Sequence, residues 1–305
     1  MNPILAVGSV AFDTIKSPFG EAARVVGGSA TYFSIAASFF TEVRLVAVVG
    51  EDFADRGAQV FGGRSIDLAG LQTVPGETFR WKGEYGFDLN QRESIYTKLN
   101  VFEHFRPVIP QQYRASPFVF LGNIHPRLQL EVLDQVEQPR LVAADTMNYW
   151  IEGTPDELRQ VLERVDILII NDSEARELSR QANLVKAARV LRSMGPCTVV
   201  IKRGEHGVLM NASGDGEFFA APAMPLEDVF DPTGAGDTFA GGFLGSLAAC
   251  TEVTDAALAR AIIYGSTLAS FAVEDFSVDR LLRLTRAEVG ERFQRFRRLT
   301  YFDEG

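Results

Sequence analysis

Short apolar runs recur along the chain at Ile4–Val7, Val43–Val49, Phe118–Leu121, Leu141–Ala144, Ile167–Ile170 and Thr198–Ile201. Runs of this length without polar alternation predict strands covered on both faces, hence a mostly parallel sheet. Between them lie stretches with helical spacing, Thr31–Phe40, Leu128–Gln135, Pro155–Arg164 and Asn183–Ser193. Strand and helix alternate, which predicts a three-layer α/β/α architecture. From Gly234 onward the pattern turns helical, with candidates at Ala235–Ala249, Asp255–Phe271 and Arg286–Arg297.

One segment departs from this pattern. From Phe79 to Leu89 the odd positions carry Phe79, Trp81, Tyr85, Phe87 and Leu89, with Gly83 as the gap, and the even positions are polar. Period-two alternation marks a sheet with one wet face. Ile95–Val101 continues it more weakly. A small inserted sheet must cover its apolar face with a ligand, the main domain or a second subunit.

The composition narrows the class. The chain has 305 residues, of which 46% are hydrophobic and 23% charged, which is globular composition. The net charge of −10 argues against a broad nucleic-acid surface or an anchor on acidic lipid, although a local basic pocket stays open. Two cysteines, Cys197 and Cys250, make no disulfide framework, so a reduced, cytoplasmic setting is expected. No segment offers about 18 uninterrupted apolar residues, and the N-terminus has no basic-then-apolar leader, so neither a membrane span nor a secretory signal is expected. Only five of the thirty basic residues are lysines, and none stands in G-x-x-x-x-G-K-[ST]. H-R-D, G-x-S-x-G, H-E-x-x-H and a G-x-G-x-x-G after the first strand are also absent. These absences disfavour Walker ATPases, protein kinases, α/β-hydrolases, zincins and standard dinucleotide folds.

The strongest positive signal is Asp231-Pro-Thr-Gly-Ala-Gly-Asp-Thr-Phe-Ala-Gly-Gly-Phe243. Gly234, Ala235 and Gly236 open a helix whose first N–H groups lack intrahelical partners, and small residues let a phosphate approach that positive end. Asp237 falls in the first turn, where a carboxylate can take the proton of a hydroxyl attacking a bound phosphoryl group. The plainer alternative is that these glycines merely permit a tight turn and close helix packing.

This segment resembles the C-terminal signature D-T-x-G-A-G-D-x-F of the ribokinase-like, or PfkB, family of carbohydrate and nucleoside kinases, with Pro232 at the second position. The resemblance implies one ribokinase-like domain over residues 1–305, with a small β-sheet lid formed from about 10–18 and 73–102. It further implies that Asp237 is the catalytic base and that Gly234, Ala235 and Gly236 line the anion hole for the γ-phosphate.

The other motifs follow from the same likeness. Asn171-Asp-Ser-Glu174 matches the family's N-x-x-E, which organises Mg²⁺ through bound water at Glu174; the same spacing is also that of a capping box. Lys202-Arg203-Gly204-Glu-His-Gly207 resembles the turn that lines the nucleotide cleft, and Arg203 is a candidate phosphate neighbour. Gly8–Asp13 resembles the first-strand motif whose aspartate holds substrate hydroxyls. Gly27 and Gly28 match the paired glycines beside the substrate, but Tyr32 stands where sugar kinases commonly have asparagine. Asp145 with Asn148 resembles a D-x-N element with one residue extra. A monovalent cation, K⁺, is implied near Asp231 and Thr233 and a later loop around 270–277.

The expected reaction is ATP-dependent phosphorylation of a hydroxyl, usually a primary one, on a sugar or sugar derivative. A nucleoside is the alternative acceptor, with Phe12, Phe33 and Trp81 as candidate stacking residues. A non-catalytic ligand-binding relative on the same fold is the remaining alternative. The expected partners are small molecules, with neither nucleic acid nor membrane, and a homodimer through the lid.

Overall fold

The computed structural model describes residues 2–212, 218–299 and 301. Its strands in chain order are β1 (Ile4–Val7), β2 (Ala11–Ser17), β3 (Gly20–Gly27), β4 (Val43–Gly50), β5 (Ile66–Val74), β6 (Phe79–Tyr85), β7 (Arg92–Lys98), β8 (Phe118–Leu121), β9 (Leu141–Asp145), β10 (Ile167–Asn171), β11 (Thr198–Lys202), β12 (Val208–Asn211) and β13 (Phe218–Ala221). Nine of them form one sheet in the order β13-β12-β11-β10-β9-β8-β1-β4-β5. All its pairings are parallel except β11–β12 and β12–β13.

The apolar runs form strands because both faces of the sheet are covered. Leu5 and Val7 of β1 pack into one layer with Leu128, Val132, Leu158, Val161 and Leu191 from the helices on that side. Ile4 and Ala6 point the other way, against Phe33, Phe239, Phe243 and Ile262. Phe33 stacks on Phe120 with ring centroids 3.9 Å apart, which makes it a core residue and removes it from the candidate stacking residues for a base. Gly241 and Gly242 serve the close packing of the second layer: a Cβ there would lie 2.4 Å from Phe33 O and 2.9 Å from Tyr264 O.

The small sheet has the order β3-β2-β6-β7. β2–β3 and β6–β7 are antiparallel and β2–β6 is parallel. β3 and β5 lack a clear apolar pattern and were not predicted; backbone pairing to β2 and β4 forms them. The alternation read through Leu89 ends at Tyr85. Phe87 is 94% exposed, in a turn where Asp88 accepts from the backbone of Asn90 and from the backbone and side-chain amides of Gln91. Local turn chemistry overrides the hydrophobic period there. The next strand begins at Arg92 rather than Ile95 and stops at Lys98, before a 3₁₀ turn over Asn100–His104.

No helix among the described residues is long and apolar enough to cross a membrane.

Candidate active site

The helix Ala235–Ala248 begins with Gly234 at φ +74°, a conformation that favours glycine. A Cβ on Gly234 would also lie 2.4 Å from the Tyr32 ring, so the site demands glycine twice over. Pro232 O accepts the Ala235 N–H and Gly234 O the Thr238 N–H. The intervening Gly236 and Asp237 amides belong to the first turn, where a helix offers no acceptor of its own. The preceding loop is fixed by Asp231, which is buried and accepts from Thr233 N at 2.8 Å and Ser277 N at 3.0 Å. Asp231 thus joins the two segments that the resemblance names for a monovalent cation.

Asp237 faces a cluster of buried charge. Lys202, the last residue of β11, places Nζ 3.5 Å from Asp145 Oδ2 and 2.9 Å from where a Gly236 Cβ would sit. Burial raises the Asp237 carboxyl to about 7, aided by the Asp145 charge and opposed by Lys202 and Arg92. Burial likewise raises Glu174 to about 7, with Asp145 adding to the shift and Lys202 opposing it. Burial disfavours the charged Lys202, yet Asp145, Glu174 and Asp237 together outweigh it and raise the ammonium pKa. The lysine is therefore a fixed positive charge beside the helix end.

Asn171 and Glu174 form the capping box that their spacing permits: Asn171 Oδ1 accepts from Glu174 N at 2.8 Å and Glu174 Oε2 from Asn171 N at 2.9 Å. The box leaves Glu174 Oε1 without a cap partner while holding its carboxylate within reach of the charge cluster. Asn148 bonds Glu177 instead of joining Asp145. The turn after β11 contains Gly204 at φ +54° and Gly207 at φ +83°. Arg203 donates to His206 O at 2.6 Å, so its guanidinium closes its own loop while Lys202 carries the charge at the helix end. Lys202, Gly204, Gly207, Gly236 and Asn90 line part of a cavity of about 960 Å³.

The opposite wall belongs to the small sheet. Asp13 on β2 is buried, and a Cβ on Gly27 would lie 1.8 Å from its Oδ2. Gly28, at φ +95°, supplies a backbone hydrogen bond to the Asp13 carboxylate. Burial raises Asp13 to about 8, and the charges of Asp231 and Asp237 add to it. Tyr32 is buried at the start of the helix Ser29–Ala37, and its hydroxyl has no hydrogen-bond partner among the described residues. Burial pushes that phenol upward, and the charges of Asp231 and Asp13 push it further. An unpaired buried hydroxyl is costly unless a ligand or water completes it.

Three residues of this wall escaped the sequence reading. Tyr85 reaches across to Thr233, with the two hydroxyl oxygens 3.0 Å apart. Asn90 packs on Gly204, its Oδ1 1.9 Å from where a Cβ would be. Arg92 lies opposite Tyr85 in the β6–β7 register, with its guanidinium 5.6 Å from the Trp81 ring centroid. Tyr85 had the apolar phase of its strand as a signal; Asn90 and Arg92 read as ordinary surface polar residues.

Among the described residues no three His, Cys, Asp or Glu side chains group to hold a metal. Mg²⁺ at nucleotide sites takes one or two carboxylates, waters and substrate phosphates, and the Glu174 carboxyl, within the charge field of Asp145 and Lys202, is an oxygen donor of that type.

A buried carboxyl in the first turn of a glycine-started helix, with a second buried carboxyl on the small sheet, is the arrangement that the resemblance to the ribokinase-like kinases implies. The chain matches the pfkB family of carbohydrate kinases over residues 4–282 and belongs to that family. It is a kinase acting on a hydroxyl group of a sugar or nucleoside. It is 32% identical to the cytidine kinase of Thermococcus kodakarensis over 250 residues, 80% of this chain and 88% of that one. It is 34% identical to the aminoimidazole riboside kinase of Salmonella typhimurium over 296 residues, 90% of this chain and 89% of that one. In fold it resembles a putative ribokinase II from E. coli, at TM-score 0.80 and 18% identity over 97% of this chain and 100% of that one. The Methanocaldococcus jannaschii nucleoside kinase gives TM-score 0.76 and 19% identity over 97% of this chain and 99% of that one.

Proposed function

We propose that this protein transfers the γ-phosphoryl group of ATP to a hydroxyl, a primary one, of a nucleoside or nucleoside-like riboside. The observation that carries this reading is the pairing of Asp13 with Trp81 across β2 and β6. Directly paired residues share a face of a sheet, so a carboxylate for ribosyl hydroxyls stands beside an aromatic surface for a base. Of the three candidate stacking residues, Phe12 and Phe33 are buried and Trp81 alone is partly open. The cytidine and aminoimidazole riboside kinases that match most of the chain are named for acceptors of this class.

In this reading Asp13 and the Gly27–Gly28 backbone orient the acceptor, with Tyr32 completing the wall. Asp237 takes the hydroxyl proton as the acceptor oxygen bonds to phosphorus and the β,γ-bridging oxygen departs with ADP. Gly234, Ala235 and Gly236 supply backbone N–H groups to the phosphoryl oxygens, and Lys202 adds a fixed charge. Asn171, Arg203, Gly204 and Gly207 shape the nucleotide side. Glu174 would hold Mg²⁺ through water, and the metal when bound neutralises phosphate charge. A complex with ATP and Mg²⁺ is known for the E. coli putative ribokinase II, which shares the fold. K⁺ is assigned to Asp231, Thr233 and the loop over 270–277, and activity in K⁺ against tetramethylammonium tests it.

The whole chain acts as one kinase domain, with the small sheet as its lid; that sheet takes in β3 (Gly20–Gly27), which the expected bounds of 10–18 and 73–102 left out, while residues 73 and 74 belong to β5 of the large sheet. A homodimer through that lid is supported by β7, whose residues are all exposed and include Ile95 and Tyr96. ADP release measured with cytidine, adenosine, aminoimidazole riboside and ribose tests the acceptor. Turnover of ribose with the nucleosides inert would overturn the nucleoside reading.

A further inference from the structure

The alternation of the small sheet leaves one apolar residue without a place in the fold. Trp81 is half-buried and Tyr85 buried, as their phase predicts, but Phe87, two residues on, is 94% exposed. A single exposed apolar side chain is ordinary on a protein surface. Phe87 differs in what holds it there. The turn after β6 is tied by Asp88, whose Oδ1 accepts from Asn90 N at 3.0 Å and whose Oδ2 accepts from Gln91 Nε2 at 2.8 Å. Gln91 N also donates to Asp88 O at 3.1 Å. The turn is fixed on both sides to loops of the main domain: Tyr85 bonds Thr233, and Asn90 packs on Gly204. Phe87 is thus presented by a well-bonded turn and not by a frayed strand end.

That turn stands on the wall of the cavity of about 960 Å³, where Phe87 and Leu89 both line it. Gly236 and Lys202 line the same cavity with an amide of the helix start and a fixed positive charge. Met224, Leu226, Val229 and Val273 give it apolar surface. One cavity that joins a cationic helix end to apolar walls suits a nucleotide, whose phosphates and base need those two surfaces. The exposed ring at its wall has little protein packed against it, so its faces are open to a planar partner inside the cavity.

We propose that Phe87 is a binding residue for the phosphoryl donor: its ring packs on the base of the bound nucleotide, and the β6–β7 turn is a flap over the nucleotide cavity. The small sheet then serves both ligands, with Asp13 and Trp81 toward the acceptor and its turn toward the donor. Stacking of this kind adds affinity through the face of the base and asks nothing of the phosphates. The inference rests on the reading of ATP as donor but not on the identity of the acceptor.

The test compares wild type with Phe87→Ala, Phe87→Leu and Phe87→Trp. The side chain is exposed, so all four proteins should share one circular-dichroism melt. Titration calorimetry with Mg²⁺ and no acceptor measures binding of ADP and of inorganic tripolyphosphate, which has phosphates without a base. Loss of the aromatic contact should weaken ADP about three- to tenfold in Phe87→Ala, less in Phe87→Leu, and leave tripolyphosphate within about twofold. Phe87→Trp should bind ADP like wild type, and its indole emission should change on ADP addition by more than that of the two native tryptophans. An ADP affinity in Phe87→Ala equal to wild type, or an equal loss for tripolyphosphate, would overturn the assignment. So would a Phe87→Ala protein that binds ADP normally but sediments as a smaller species, which would put Phe87 in a contact between subunits. Wild type that binds no ADP would overturn the ATP reading along with it, whereas nucleosides inert in the turnover assay leave the ADP comparison intact.

Discussion

The two sheets of this protein differ in how far they bury their residues, and the candidate site residues come from both: β2 of the small sheet is mostly buried, and the exposure grows outward through β6 to β7. β1, β8 and β9 of the large sheet are buried along their whole length, whereas every residue of β7 in the small sheet is exposed. The large sheet and its helices hold Asp237, Glu174, Asp145 and Lys202. The small sheet holds Asp13, Trp81, Tyr85 and Arg92. A base must keep its geometry within fractions of an ångström, so packed elements suit it. Groups that grip an entering and leaving acceptor belong on an element with fewer buried contacts, which opens at lower cost. The nucleotide half is in this sense rigid and the acceptor half movable.

The largest expected effect breaks the rigid half. Asp237→Asn should lower kcat by about 10²–10⁴-fold while leaving ATP affinity by calorimetry close to wild type. Near-normal turnover in that variant would remove Asp237 from its role as base. On the movable half, Asp13→Ala should raise the acceptor KM about 10–100-fold and change the ATP KM little. A comparable rise in both would mean that the halves are not functionally separate. Trp81→Ala should raise KM about two- to tenfold for a nucleoside and leave ribose unaffected, which sharpens the acceptor class.

The raised carboxyls add a pH dependence. Asp237 must be ionised to accept a proton, so kcat/KM should fall as pH drops through about 7. The stability of the free protein should move the other way. The folded chain holds Asp13 protonated up to about 8, and Asp237 and Glu174 up to about 7, while the unfolded chain releases these protons near the ordinary values of 3.8 to 4.5. The native state therefore binds more protons across that window, and stability declines as pH rises through it. Asp13→Asn should melt above wild type at pH 8, by a margin that shrinks as pH falls toward about 4. The smallest effect concerns the exposed strand: Ile95→Glu should shift a dimer to monomer in sedimentation and leave the melt almost unchanged.

The same contrast explains what could be read from the sequence. The six apolar runs were legible because a strand covered on both faces has to be apolar throughout, and all six strands extend at most one residue further than their pattern. The Asp231–Phe243 segment was legible because its turn, helix end and carboxylate are consecutive in the chain. Asn171 and Glu174 were legible as a pair, and the fold shows that the capping box and a place at the charge cluster are compatible. β3, β5 and the end of β6 were not, because exposed strands have no strong hydrophobic period and their limits are set by neighbours and turns. Arg203 and Lys202 looked alike as cations after a strand; only the path of the turn sends the lysine to the helix end.

The sequence alone determined the alternating architecture and the glycine-rich turn that starts a helix with Asp237 in its first turn, because each rests on neighbouring residues or on a period of local structure. The tertiary structure decided which distant side chains share the cleft. Asp13, Asp145, Glu174, Lys202 and Asp237 come from separate elements; burial together raises the Asp13, Glu174 and Asp237 carboxyls, and the surrounding carboxylates raise Lys202 against its burial. Arg92 is the clearest case: nothing in its neighbourhood along the chain marks it. Pairing of β6 with β7 sets it opposite Tyr85, because strand register is a property of the folded sheet and not of any one segment.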